Sequence, residues 1–307
     1  MDAIVGYTGF VGSNICKKHT FDKCYNSKNI SSAYGTTPDE LIYCGIRAEK
    51  FIANSRPEDD YSHIQDAINN LEKIKAKSVV LISSIDVLSS VDHSSEKSQI
   101  DINKLDAYGR DRFILENWVR NNCKEYTILR LPALFGDGLK KNFLYDIMNP
   151  IPKLLKKDLY YNLSEKSSII KKAYYESEFG FYQLNDNFKN EDLKIAFEKE
   201  GFSTLSFTDS RSVFQFYPLE RLWDDILIAK KNNLDIVHLA TEPMSASELY
   251  NKLTGGVFSN EILPEGKLKK YDFITDYSDI FGGNDCYILK KEDVIQRISC
   301  FVKGSLS

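Results

Sequence analysis

Gly6-Tyr7-Thr8-Gly9-Phe10-Val11-Gly12 follows a short run of β-forming residues, Asp2–Val5, and leads into a stretch of helical character, Ser13–Thr20. A glycine-rich turn in that place has a physical use. The first glycine permits a tight turn at the strand end, the next lets backbone approach a pyrophosphate, and the third lets the helix pack closely on the strand. Phosphate oxygens then face free N–H groups and the positive end of the helix dipole. The stretch predicts a dinucleotide site built from Gly6, Thr8, Gly9, Phe10, Val11 and Gly12, and a parallel α/β sheet around it.

The chain beyond it keeps the βαβ rhythm. Strand candidates at Lys23–Tyr25, Glu40–Cys44, Ser78–Ser83 and Thr127–Arg130 alternate with helix candidates at Asp59–Ala76 and Leu105–Arg120. In the first of these helices Ile64, Ala67, Ile68 and Leu71 recur at spacings of three and four, which lines them along one face. After Gly136 the texture changes: Lys140 to Lys172 holds eight lysines against three acidic residues, as in a surface-rich insertion. Apolar alternation returns at Ser212–Tyr217 and again at Ile236–Ala240, which suggests re-entry into the main sheet. The expected architecture is a Rossmann-type, doubly wound parallel α/β sheet with a smaller interlaced substrate-binding lobe. The dinucleotide-binding domain would span 1–135, re-entered at about 205–243, and the lobe 136–204 and 244–307.

The 307 residues, 42% of them hydrophobic, suffice for a sizeable core. A net charge of −4 supplies no global basic field for a phosphodiester backbone, which argues against nucleic acid as a partner. The cysteines at 16, 24, 44, 123, 286 and 300 form neither a CxxC pair nor a compact disulfide frame, so reduced thiols are expected. His19, His63, His93 and His238 show no i, i+4 pairing, so no metal is expected. Met1 to Gly6 has no basic leader character and no run reaches the ~18 apolar residues of a membrane span, so a cytoplasmic location away from membranes is expected.

Segments taken in chain order resemble the extended branch of the short-chain dehydrogenase/reductase family, the NAD-dependent epimerases, dehydratases and reductases of nucleotide sugars. The first is the G-x-x-G-x-x-G loop itself. Val79-Val80-Leu81-Ile82-Ser83-Ser84-Ile85-Asp86-Val87 resembles that branch's catalytic-serine strand, and Tyr108-Gly109-Arg110-Asp111-Arg112 its YxxxK helix. Leu129-Arg130-Leu131-Pro132-Ala133-Leu134-Phe135-Gly136 is similar to the segment LRxxNVYG. Arg211-Ser212-Val213-Phe214 and Val237-His238-Leu239-Ala240 extend the likeness toward the C-terminus.

The resemblance implies a nicotinamide cofactor, a nucleotide-diphosphate sugar as substrate and a homodimer. It implies that Ser84, Tyr108 and Arg112 carry the chemistry, with Tyr108 and Arg112 also against the cofactor. Tyr108 and Arg112 stand four apart, on one helix face. A phenol as acid/base, a cation to tune it and a hydroxyl to fix a carbonyl oxygen suit hydride transfer. The family has lysine where this chain has Arg112, and an arginine cannot release a proton, so a relay through that side chain is lost. Asp86 lacks the adjacent glutamate of the dehydratases, which disfavours elimination. Ser84, Asp86, Lys140, Asn142 and Arg211 are the expected substrate contacts.

At the end of the second strand candidate the chain reads Cys24-Tyr25-Asn26-Ser27-Lys28-Asn29, with no carboxylate for an adenosine ribose. Ser27 and Lys28 suit a 2′-phosphate, so NADP is the expected cofactor, with Asn26, Ser27, Lys28 and Cys44 lining it. A polar turn in which Asn26 or Asn29 serves NAD is the alternative. Reduction of a 4-keto sugar is the leading activity. Epimerisation is the alternative within the family, and a catalytically silent dinucleotide-binding regulator or scaffold the alternative outside it.

Overall fold

A computed structural model describes residues 1–177 and 180–306. The chain divides into two compact units, one of 1–139, 213–244 and 269–307, the other of 140–212 and 245–268.

The first unit is built on strands β1 (Asp2–Val5), β2 (Lys23–Tyr25), β3 (Glu40–Tyr43), β4 (Ser78–Ser84), β5 (Glu125–Leu131) and β6 (Ile236–His238). Their order, β6-β5-β4-β3-β1-β2, is parallel throughout. This is the expected Rossmann-type doubly wound sheet. Its order reverses between β1 and β3, the crevice where such sheets take ligands at the carboxyl ends of their strands. Runs such as Val79-Val80-Leu81-Ile82 are buried because helices cover both faces of a parallel sheet.

Helices α1 (Phe10–Cys16), α2 (Lys50–Ser55), α3 (Pro57–Ile74), α4 (Ala107–Asn122), α5 (Leu222–Lys231) and α6 (Lys291–Leu306) complete this unit. Pro57 starts α3 with Glu58, Asp59 and Asp60 in its first turn, and Ile64, Ala67, Leu71 and Ile74 are buried along one face. Asp106 caps α4 by accepting from the Gly109 N–H at 2.9 Å. The first helix begins three residues before the expected Ser13, because Gly9 already occupies the cap position.

The C-terminal boundary differs from expectation. Residues 269–307 belong with the sheet unit, where 244–307 had been expected in the lobe. Strand-like hydrogen bonds explain this: Ile288 N–H donates to Ala240 O at 2.8 Å and Asp272 N–H to Val91 O at 2.9 Å. The buried Gln215 amide also donates to Thr241 O and Phe273 O, and accepts from the Phe273 N–H. At the end of the 212–217 run, Phe216–Pro218 pairs with Ala133–Phe135 in a separate two-stranded sheet; of the two re-entry candidates, only Ile236–His238 joins the main sheet.

The second unit has an antiparallel sheet of Leu154–Lys156, Phe181–Leu184 and Tyr174–Glu176, packed with helices Lys157–Lys166, Ser168–Ala173 and Glu191–Lys199. Its own core includes Leu155, Leu163, Ile170, Leu184, Leu193 and Phe197.

Candidate active site

The glycine turn leaves β1 at Gly6, whose φ of +89° is a left-handed conformation that glycine adopts without strain. A Cβ at Gly12 would lie 2.3 Å from Gly6 O, so helix and turn touch there and only glycine fits. Gly9 is different. It is exposed, its φ of −78° suits any residue, and a Cβ would meet nothing closer than Gly6 O at 3.3 Å. The chain's own packing therefore does not require glycine at position 9. Thr8 is exposed beside it, with Phe10 and Val11 half-buried behind.

Ser27 and Lys28 are exposed beyond β2. Asn26 and Asn29 shape the turn that presents them: Asn29 Oδ1 accepts from Asn26 N–H at 2.7 Å and Asn26 Oδ1 from Lys28 N–H at 2.9 Å. Asn26 thus acts on the turn. The Cys44 thiol donates to Val5 O at 3.0 Å beneath the glycine turn, and burial pushes its pKa up.

Ser84 ends β4, and its hydroxyl accepts from the Asp86 N–H at 3.2 Å. The turn after it is met by the start of α4, where a Cβ on Gly109 would fall 2.1 Å from Asp86 O. Glycine there brings Tyr108 against the strand end. Tyr108 is 7% exposed there. Burial raises the phenol's pKa; the Arg112 charge, the nearby Ser84 hydroxyl and Lys50 pull it down, Asp86 pushes it up, and the net direction is upward.

Arg112 stands where the sequence placed it relative to Tyr108, with its guanidinium over the ring at 3.6 Å from the centroid. Its donors are already engaged. They hold both oxygens of Asp60 from α3, Tyr108 O at 3.1 Å and Arg47 O, and the side chain is 3% exposed. Those donors serve the fold.

Asp86 is likewise held within the chain. Lys50 Nζ, at the start of α2, lies 2.6 Å from Asp86 Oδ1, the Tyr271 hydroxyl donates to the same oxygen at 3.2 Å, and Ser84 Oγ lies 3.5 Å from Oδ2. Lys50 also pairs with Asp106 at 3.3 Å and sits 5.9 Å from the Tyr108 ring centroid. Burial lowers the Lys50 pKa, but Asp86, Tyr271 and Asp106 outweigh it and the net direction is upward. Neither Lys50 nor Tyr271 was singled out from sequence. Lys50 closes a charged run, Arg47-Ala48-Glu49-Lys50, that reads as a solvated loop. Tyr271 is 185 positions from the carboxylate it touches.

A second buried network lies deeper. Arg130 grips Glu116 through Nε and Nη2, Ser83 donates to the same carboxylate at 2.6 Å, and His238 Nδ1 donates to Ile274 O at 2.9 Å while its Nε2 accepts from Arg130. Burial lowers the His238 pKa, consistent with a neutral ring. The LRxP-like and VHLA-like segments thus supply buttresses.

In the second unit the expected substrate contacts are engaged or exposed. Asn142 Oδ1 caps the helix Phe143–Met148 by accepting from Tyr145 N–H at 3.1 Å. Lys140 is exposed. Arg211 forks onto Asp209 at 3.0 and 2.9 Å and has Glu261 and Glu265 at 3.2 and 3.7 Å. Arg211 thus sits in an ion cluster with three carboxylates.

Among the described residues no group of three His, Cys, Asp or Glu is placed to hold a metal, and no helix is long and apolar enough to cross a membrane. No family model matches the chain, and no curated protein does. Solved structures resemble it over nearly its whole length. A dTDP-4-dehydrorhamnose reductase from Clostridium acetobutylicum is 14% identical, with a TM-score of 0.62 over 100% of this chain and 99% of its own. One from Bacillus anthracis, in complex with NADP, is 14% identical with a TM-score of 0.60 over 97% of each chain. A UDP-glucose 4-epimerase from Thermotoga maritima, with UDP-glucose, is 11% identical with a TM-score of 0.61 over 100% of both. Likeness at these identities shows the fold.

Proposed function

We propose that this chain is an NADP-dependent oxidoreductase of the extended short-chain dehydrogenase/reductase type that reduces a keto group on a nucleotide-activated sugar. The observation that carries the reading is the buried Tyr108, brought by the start of α4 against the turn that follows Ser84 at the carboxyl end of β4. Phenol and hydroxyl there serve proton transfer to a carbonyl oxygen. The reductases and the epimerase of like fold support the substrate class.

The residues present fit a dinucleotide. Gly9 leaves open space that its own fold does not demand, and Ser27 and Lys28 stand exposed where a 2′-phosphate would be read. When bound, the nicotinamide supplies the hydride. Ser84 orients the carbonyl oxygen, Tyr108 gives it a proton, and the Arg112 charge over the ring favours the tyrosinate that remains. Tyr108, Ser84, Gly6, Gly9 and Gly12 are the proposed working residues.

The test mixes protein, NADPH and a panel of nucleotide-linked 4-keto-6-deoxysugars and follows loss of reduced-nicotinamide absorbance. Stoichiometric consumption with an alcohol product is expected. Sugar isomerisation without net consumption would favour the epimerase reading, which the UDP-glucose 4-epimerase of like fold keeps in view. Inertness across the panel, with NADPH bound, would favour a regulator.

A further inference from the structure

Tyr108 is the second residue of α4, and a helix leaves the N–H groups of its first turn without partners inside the helix. The cap, Asp106, accepts from the Gly109 N–H. The Tyr108 N–H donates to Asn54 Oδ1 at 3.0 Å, across 54 positions of chain. The same amide turns its Nδ2 to Asp106, donating to Oδ2 at 3.1 Å. One side chain of α2 thus holds both the cap of α4 and the backbone of Tyr108. The segment that carries it reaches the rest of the site as well. Lys50, one turn before Asn54, lies 2.6 Å from Asp86, two residues after Ser84, and 3.3 Å from Asp106. Arg47 O accepts from Arg112, whose guanidinium covers the Tyr108 ring. Residues 47–54 therefore fasten the helix that bears Tyr108 and the turn that follows Ser84, and the Asn54 bond is made to Tyr108 itself.

We propose that Asn54 is a positioning residue for Tyr108, setting where the phenol stands relative to Ser84. The proposal rests on the reading of Tyr108 as the acid. Asn54 is exposed and works through a peptide N–H, so its effect is on geometry and not on the proton inventory of the site. Proton transfer needs donor and acceptor within hydrogen-bond reach, and a misplacement of about 1 Å can cost ~10²-fold in rate. Binding of the cofactor and of the sugar does not pass through this amide, so a loss there falls on kcat.

Two measurements decide it. Asn54→Leu removes both hydrogen bonds and keeps a good helix former in α2. Its kcat for the keto sugar should fall at least ~10-fold, with KM and NADPH affinity within a few-fold of wild type. In a Tyr108→Phe background the same change should cost less than about twofold, because a residue that works through the phenol then has nothing left to place. Equal losses in the two backgrounds, or a wild-type kcat in Asn54→Leu, would overturn the proposal. The second measurement is amide hydrogen exchange in the ligand-free protein, which reads the contact without turnover. The Tyr108 N–H should exchange about tenfold faster in Asn54→Leu, and equally in Asn54→Ala, while the Ile64 N–H in the middle of α3 keeps its wild-type rate. An unmoved Tyr108 N–H overturns the proposal whether or not sugar is reduced. Accelerated exchange at Tyr108, with a wild type that turns over no keto sugar, would uphold Asn54 as what holds Tyr108 and defeat the functional reading alone.

Discussion

The guanidinium of Arg112 lies over the Tyr108 ring, 3.6 Å from its centroid, while both oxygens of Asp60 hold it. One side chain thus ties α3 to α4 and sets a permanent charge on the face of the phenol. Both partners of the ion pair are buried, at 3% and 7% exposure. Removing one partner of such a pair strands the other, at a cost of about 3–5 kcal/mol. Arg112→Met should therefore lose about that much stability in urea denaturation. The double variant Asp60→Leu with Arg112→Met should recover part of the loss, since an apolar pair leaves no orphan charge. A double variant no more stable than the single one would show that Arg112 holds the fold through Arg47 O and the ring instead.

Tyr108→Phe removes the phenol and keeps the ring under Arg112. Turnover should fall at least ~10²-fold with NADPH affinity within a few-fold of wild type. The raised phenol pKa also sets the pH behaviour. Reduction, which needs the phenol protonated, should stay flat across the neutral range and decline only in strong alkali, while the reverse oxidation should climb with pH. Stopped-flow absorbance in both directions reads this, and a reduction rate that falls between pH 6 and 8 would contradict it.

The sheet was legible because a parallel strand buried on both faces is written in consecutive residues: Val79 to Ile82 needs no partner to be recognised. The glycine turn was legible for the same local reason. The surroundings of Tyr108 were not. Its spacing to Arg112 follows from helix geometry, yet nothing local says that Asp60 occupies the guanidinium. Lys50 reaches Asp86 across 36 positions, and Asp209, two residues before Arg211, neutralises a side chain that resembled a phosphate ligand. Motif spacing reports which side chains share an element. It does not report which charges meet when elements pack.

Gly9 and Gly12 should separate binding from folding. Gly9→Val adds a side chain to an exposed position with ordinary backbone angles, so the melting temperature should change little while NADPH binding by calorimetry is lost. Gly12→Ala places a methyl 2.3 Å from Gly6 O and should destabilise the protein even without ligand. Unchanged NADPH affinity in Gly9→Val would remove the turn from the site.

The proposed preference for NADP rests on two exposed side chains, Ser27 and Lys28, at a strand end that carries no carboxylate. Calorimetry should find NADPH bound more tightly than NADH. Lys28→Glu should reverse the order, because it removes the countercharge for a 2′-phosphate and supplies an acceptor for a ribose hydroxyl. Equal affinities in the wild type would leave these residues without a part in selection.

Asp146 gives the second unit a pH dependence of its own. Burial in the helix Phe143–Met148 pushes its carboxyl up to about 7, against an ordinary value near 4 in the unfolded chain. Between those values the folded form holds a proton that the unfolded form has released. Stability from this group is therefore complete below about pH 4, declines as pH rises toward 7, and is gone above it. Asp39, whose carboxyl is lowered to about 2 by Lys77 and the N-terminal ammonium, contributes in the opposite sense and at lower pH, so the two windows do not overlap. Asp146→Asn keeps the shape and removes the titration. Thermal melts from pH 4 to 9 should show the variant losing less stability than wild type across pH 4–7 and melting higher at pH 8. Parallel curves for the two proteins would show that Asp146 keeps its charge when folded.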